Sequence, residues 1–293
     1  MRLVFSIILL CHCWSIQAQP ASNQQHSEPQ FDGQLALQHI ANQIAFGPRS
    51  PDQPLAKQQT LDYIRQTIEP LASGLTVQSF VAHGLEGNNL WATFKGENTT
   101  TKRLMLGAHW DTRPGGSAQK PHLGANDGGS GVAVLLELAR LLKQNRPPVT
   151  VDLVFFDLED MGNIDGRPFA IGAEAFVARN KFYRPSAGAI VDMVCDKNLR
   201  LPKERFSYNG AIAIQDRIWQ IAKDQNASGF IDQIGPPVQD DHVPFLKAGI
   251  PVVDIIHHRF PHYWHTHRDT LDKCSSASLK QVGNVLKTLI YSP

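Results

Sequence analysis

Residues 151–160 read VDLVFFDLED. Val151–Phe156 is an almost uniformly apolar run of strand length, which suits a strand buried on both faces of a helix-covered sheet. It exits into a pair of carboxylates, Glu159 and Asp160. Upstream, Gly131–Leu142 (GVAVLLELARLL) has the composition of a long, largely buried helix, and Leu104–Ala108 (LMLGA) is another apolar strand that runs into His109-Trp110-Asp111. Downstream, Ala187–Val194 and Pro251–His257 repeat the same strand pattern. Leu35–Ile44, Leu55–Ile68, Ala211–Lys223 and Ser278–Tyr291 carry helical spacing, while Thr76–Val81 and Leu90–Phe94 read as strands. The alternation predicts a single α/β domain: a doubly wound, mostly parallel central sheet flanked by helices.

Composition agrees with an ordinary globular chain. Of 293 residues, 42% are hydrophobic and 19% charged, enough to bury a sizeable core. Lys plus Arg number 28 against 27 Asp plus Glu, so no basic face for nucleic acid is implied.

Residues 1–18, MRLVFSIILLCHCWSIQA, place one Arg before a short apolar stretch and end with Ala18 after Ile16. This form predicts a signal peptide and export to a periplasm or the exterior, since the run is shorter than the roughly 20 residues of a membrane span. Residues 19–30 form a Gln- and Ser-rich leader, which leaves 31–293 as the catalytic domain with no span, and a monomer is expected. Only Cys195 and Cys274 remain after the leader, a pair able to form one disulfide in an oxidising compartment. Asn98-Thr-Thr and Asn226-Ala-Ser match the glycosylation acceptor pattern, which matters only in a eukaryotic source.

In doubly wound sheets, ligands bind beyond the carboxyl ends of the strands. His109 and Asp111, then Glu159 and Asp160, then Asp192 fall at such ends, Asp127 stands at a Gly-rich turn before a helix, and His265 follows the last strand. Each has a plain structural alternative. Asp127 before GGSG can equally cap the helix, Glu159-Asp160 can be a solvated turn, and His109 and Asp192 can be hydrogen-bonded core residues. Trp110 and Trp264 are by default core or partly exposed aromatics, and the histidines between 257 and 267 exceed what one site needs. The constellation is stronger evidence than any member.

The motifs GAHWDTR, GANDGGSGVAVLLELARLL, VDLVFFDLED, IVDMV, QDDHVPFLKAGIPVVDII and FPHYWHT occur in this order. Together they resemble the zinc-dependent aminopeptidase and glutaminyl cyclase superfamily over roughly residues 35 to 291. QDDH followed by FPxxWHT is closest to the animal-type glutaminyl-peptide cyclotransferases and their bacterial relatives. The resemblance implies one zinc held by Asp127, Asp160 and His265, with a fourth position open. It implies Glu159 as general acid/base, with Asp192 and Asp240 in a network beside it. It further implies Trp264, with Trp110, Gln239 and Phe260, as substrate-binding residues, and peptide or protein N-termini as substrates. His109 and Asp192 occupy the positions that hold a second zinc in the two-metal aminopeptidases, so one residue set permits two chemistries. The cyclase reading is preferred.

Three features depart from the animal pattern. Asp160 stands where those enzymes usually have Glu. No Trp lies between Asp160 and Phe176, where Phe169 is the candidate substitute. Cys195 and Cys274 do not match the animal cysteine pair; bridged, they would tie the loop after the Asp192 strand to the segment after His265.

Overall fold

The computed structural model describes residues 29–97, 102–258, 260 and 262–292. The expected signal peptide, most of the leader and the Asn98 acceptor site lie outside the described residues. The chain runs α1 (Gly33–Ala45), α2 (Pro54–Ile68), β1 (Gly74–Ala82), β2 (Leu85–Phe94), β3 (Arg103–His109), a small hairpin β4 (Gly116–Ser117) and β5 (Lys120–Pro121), then α3 (Gly129–Gln144). It continues through β6 (Thr150–Phe156), α4 (Ile171–Arg179), β7 (Ala187–Asp192), β8 (Leu201–Lys203), α5 (Arg205–Gly210) and α6 (Ile212–Asp224). It ends with β9 (Phe230–Ile234), α7 (His242–Lys247), β10 (Val252–Ile256) and α8 (Ser276–Tyr291).

Six strands form the main sheet in the order β1-β2-β6-β3-β7-β10. β6, β3, β7 and β10 are mutually parallel, and β2 is antiparallel to both its neighbours. The apolar run that opened the sequence reading is buried on both faces. Val151, Leu153 and Phe155 pack into the core beneath α1, α3 and α8, and Val154 and Phe156 into a second core with Phe176 of α4 and Phe245 of α7. Asp152 interrupts that second face without an orphaned charge, because Arg103 Nη1 lies 2.6 Å from it and Tyr183 and Thr93 hydroxyls donate to it. The other four strands form two small sheets, of which β8 and β9 pair parallel beside the main sheet.

The strand order creates the crevice. From β3 the chain passes through α3 to β6 on one side, and then through α4 to β7 on the other side of β3. The chain steps from β3 to one side and then back across it to the other, and such a reversal of strand order opens a gap at the carboxyl ends, the usual ligand position in this architecture. α3 closes tightly over it: a Cβ on Gly131 would lie 2.1 Å from the Val191 carbonyl oxygen, so only glycine permits this approach. Cys195 and Cys274 are disulfide-bonded, and Ser275 N–H donates to Cys195 O at 2.7 Å beside the bridge. The link joins the loop after β7 to the segment before α8. Asn226 is exposed in the turn after α6. No helix among the described residues is long and apolar enough to cross a membrane.

Candidate active site

Asp127 precedes α3 but does not cap it. The cap position is Gly128, with φ of 80° and no side-chain cap bond, a conformation that favours glycine. The carboxylate of Asp127 is therefore left for other work, which decides against the capping alternative. Its backbone is fixed from behind, because the buried Asp269 carboxylate accepts the N–H groups of Asn126 and Asp127, both at 2.9 Å. Arg49, fully buried, donates to the carbonyls of Trp110, Leu123, Gly124 and Asp127 and so ties three loops together.

Glu159 and Asp160 begin a single 3-10 turn after β6, and Leu158 before them adopts a left-handed φ of 61°. Asp111, at the exit of β3, accepts the N–H of Glu159 at 3.0 Å and of Asp160 at 3.1 Å. The pair is thus a hydrogen-bonded strand exit, both members buried, and not a solvated turn. Met193, directly after Asp192, and His265 itself also have positive φ, at 48° and 54°. Left-handed non-glycine backbone costs energy and clusters at sites where side-chain direction is over-determined by the surroundings.

These loops bring the expected ligands together. Donor atoms of Asp127, Asp160 and His265 lie within 4.8 Å of one another, as do those of His109, Asp127 and Asp192. Asp127 is common to both groups. Its Oδ2 is 3.4 Å from His265 Nε2, which is 2.9 Å from Asp160 Oδ1; its Oδ1 is 3.2 Å from His109 Nε2, which is 3.1 Å from Asp192 Oδ1. Asp160, although shorter than Glu, reaches His265 from its place in the 3-10 turn.

The two halves differ in polar satisfaction. Asp127 Oδ2 and both oxygens of Asp160 are buried and have no well-formed hydrogen bond, their near neighbour being the His265 ring, 2.9 Å from Asp160 and 3.4 Å from Asp127. His109 Nε2, in contrast, is hydrogen-bonded with Asp192 Oδ1. Donor-less buried carboxylate oxygens are costly, and a divalent cation satisfies them. Two carboxylates and one imidazole match the ligand set of a catalytic zinc, so the residues fit that ion.

Electrostatics follow the geometry. Burial foremost, then the nearby Asp240, push Glu159 well above the ordinary carboxylate range, against the opposing pull of His109. Burial pushes Asp192 up to about 7, with Asp127 and Asp240 adding to the rise and His109 opposing it. Burial and Asp127 push Asp160 up to about 6. For Asp127, burial acts upward but His109 and His265 outweigh it and hold the group below its ordinary range. Burial works against the charge on His265, yet Asp127 and Asp160 raise it to about 9.

A cavity of about 270 Å³ opens onto these groups. Glu159, Asp192, Gln239 and Asp240 line it, and Phe169 stands on its wall where a tryptophan was missed in the sequence. Phe260 stacks on Trp264 at 4.4 Å between ring centroids, and Trp264 stacks on His265 at 3.6 Å, so the aromatic lip continues into the candidate metal group. Trp110 is a correction. It is fully buried in the core beneath α3, donates to Asn88 O and lies under Lys57, away from the cavity. The reason is strand parity: Leu104, Leu106 and Ala108 face that core, and residue 110 continues their side while His109 faces the site.

Behind Glu159, Asp240, Asp241 and His242 of the QDDH stretch are buried, while Gln239 is exposed at the cavity. Asp241 is the cap position of α7, and His242 begins the helix. The His242 ring lies 3.1 Å from Glu204 and 3.6 Å from Asp254. Burial first and Asp240 second raise both Asp241 and Asp254 well above the usual carboxylate range. Among residues the sequence reading missed, Arg49 and Asp269 had no motif to reveal them, and Asn126 and Tyr263 join through a hydrogen bond of 3.2 Å that links the Asp127 turn to the His265 loop.

Residues 89–290 match peptidase family M28. A glutaminyl-peptide cyclotransferase of Bos taurus is 25% identical, with 83% of this chain and 77% of that protein aligned. A glutaminyl cyclase of Bacteroides thetaiotaomicron, solved bound to N-acetylhistamine, superposes with a TM-score of 0.83 at 32% identity, covering 91% of this chain and 100% of that one. A leucine aminopeptidase precursor from the same species superposes with a TM-score of 0.83 at 33% identity, covering 91% and 99%.

Proposed function

This chain belongs to peptidase family M28, and on that premise we propose that it is a zinc-dependent glutaminyl-peptide cyclotransferase, converting the N-terminal glutamine of peptides to pyroglutamate with release of ammonia. The observation that carries this reading is the asymmetry of the ligand cluster. Of the two groups that share Asp127, the one with Asp160 and His265 carries the donor-less oxygens, while His109 and Asp192 bond to each other. That pattern supports one metal, as a cyclase requires.

Asp127, Asp160 and His265 would hold the zinc, which when bound supplies Lewis acidity toward a carbonyl oxygen. The other steps belong to this chain's side chains and to the substrate. The α-amine of the terminal glutamine attacks the carbon of its own side-chain amide; a C–N bond forms, the original C–NH2 bond breaks, and ammonia leaves. Glu159 takes a proton from the attacking amine and returns it to the leaving nitrogen. Its raised pKa brings it nearer to the operating pH, where an acid/base group works best. The Trp264 and Phe260 lip with Phe169 would hold the glutamine side chain folded over its amine, and such positioning can contribute several kcal/mol. The Cys195–Cys274 disulfide supports export to an oxidising compartment.

A two-metal aminopeptidase is the second reading, favoured by the His109, Asp127 and Asp192 group. Mass spectrometry after incubation with a Gln-initiated and a Leu-initiated peptide separates the two. Loss of ammonia from the former supports the cyclase; loss of a whole residue from the latter, with two zincs per chain, refutes it.

A further inference from the structure

The candidate cavity does not stop at its mouth. Pro236 and His258 line both that cavity and an adjoining open cleft of about 380 Å³. The floor of the cleft comes from the β8/β9 pair, with Pro202, Ile231 and Ile234 as its apolar part, and Arg200 and Arg205 line it as well. Both arginines are exposed, and neither takes part in an ion pair among the described residues. Lys203 between them is already neutralised, with Asp216 at 2.8 Å and Asp232 at 2.7 Å. Glu204, the acid in the same stretch, is turned inward and spent on the N–H groups of Phe206, Ser207 and Val238 and on His242. The cleft thus carries two uncompensated guanidinium groups over an apolar floor, in continuity with the site that receives a chain end.

A peptide whose first residue sits in the cavity must lead its remaining residues out past the mouth, and an extended chain advances about 3.3 Å per residue. We propose that this cleft takes the residues following the N-terminal one and selects carboxylates there, either acidic side chains at the second to fourth positions or the terminal carboxylate of a short peptide. Guanidinium forks pair with carboxylates in bidentate geometry, which suits arginine over lysine at such a place. The inference rests on reading the cavity as a site for peptide N-termini.

The test measures affinity by calorimetry for amidated pentapeptides, Gln-initiated and Leu-initiated, each carrying either two Glu or two Gln among positions two to four. A Gln-initiated tripeptide as free acid and as amide forms a further pair. For the wild-type protein in low salt, the Glu-bearing member should bind about fivefold tighter, as expected for two exposed ion pairs. The preference should fall below about twofold in high salt and in R200Q/R205Q, with affinity for the neutral peptide unchanged. Gain confined to amidated peptides assigns the cleft to acidic side chains, and gain confined to the free acid assigns it to chain ends. Equal affinity of the paired peptides, absence of binding by either, or a preference that survives in R200Q/R205Q overturns the proposal. A Gln-initiated peptide that binds with the acidic preference and releases no ammonia refutes the cyclase reading while leaving the cleft assignment standing.

Discussion

Gly131→Ala is a substitution whose sign two effects contest. Alanine is the better helix former by about 1 kcal/mol, and position 131 lies inside α3. Against that, the new Cβ would lie 2.1 Å from the Val191 carbonyl oxygen and 2.8 Å from Ala108 Cβ, where ordinary contact begins at 3.4 Å. Helix and strand must therefore part by about 1.3 Å, and the obstructing atom is backbone of a hydrogen-bonded strand that no rotamer change can move. Overpacking of this kind costs about 1–3 kcal/mol, and the upper half of that range applies here, so a net loss of about 1–2 kcal/mol remains. For a domain of this size that lowers Tm by roughly 2–4 °C. The effect on turnover should be larger than the effect on stability, because α3 follows Asp127 and β7 ends in Asp192. A displacement near 1 Å in a catalytic site costs about 10²-fold. Thermal melts, zinc content and steady-state turnover of a Gln-initiated peptide measure all three. A variant that melts at or above the wild-type temperature and turns over at the wild-type rate would refute the argument that this helix-to-strand approach sets the site geometry.

Asp160→Ala and His265→Ala should each lose zinc and activity together, read by metal analysis of the dialysed proteins; stoichiometric zinc in either would mean a different ligand set. Glu159→Gln should keep zinc and fold and lower kcat by about 10²-fold or more. In the wild type Glu159 must be ionised to accept a proton, so kcat/KM falls as pH drops through its raised pKa. Asp240→Asn removes one negative neighbour that raises it, and the acid limb should move to lower pH; a limb that stays in place separates Asp240 from Glu159. Cys195→Ser/Cys274→Ser, which frees a crosslink spanning 79 residues, should destabilise by about 2–4 kcal/mol, checked by urea titration.

Much of this fold was legible because the strands are buried on both faces. An almost unbroken apolar run such as Val151–Phe156 has no other comfortable home, and its ends locate the crevice. The clustering of charged residues was legible for the same reason, since such groups at the exits of buried strands have little to do in a core, whereas the roles proposed within the cluster came from the resemblance of the motifs. Legibility failed where the deciding contact lies far away in sequence. Arg49 meets its carbonyl partners across more than 60 residues and Asp269 meets Asn126 across 143, and neither sits in a motif. α4 was missed as well: with nine residues it is short, and its position is set by packing of Phe176 against the sheet. Trp110 was misplaced for a different reason. It adjoins His109 in a motif, yet parity with Leu104, Leu106 and Ala108 already pointed it to the opposite side.

Asp127 offers one carboxylate oxygen to each histidine, and this sharing makes the two half-sites rivals. A cation drawn to Oδ2 spends the single negative charge on which a second cation at Oδ1 would depend, and the two ions would also repel each other at short range. Zinc uptake by this cluster should accordingly be anticooperative, a tight step followed by a weaker one. Were a second ion to enter at all, the free metal concentration of the surroundings would set how many are held, without any change of residue.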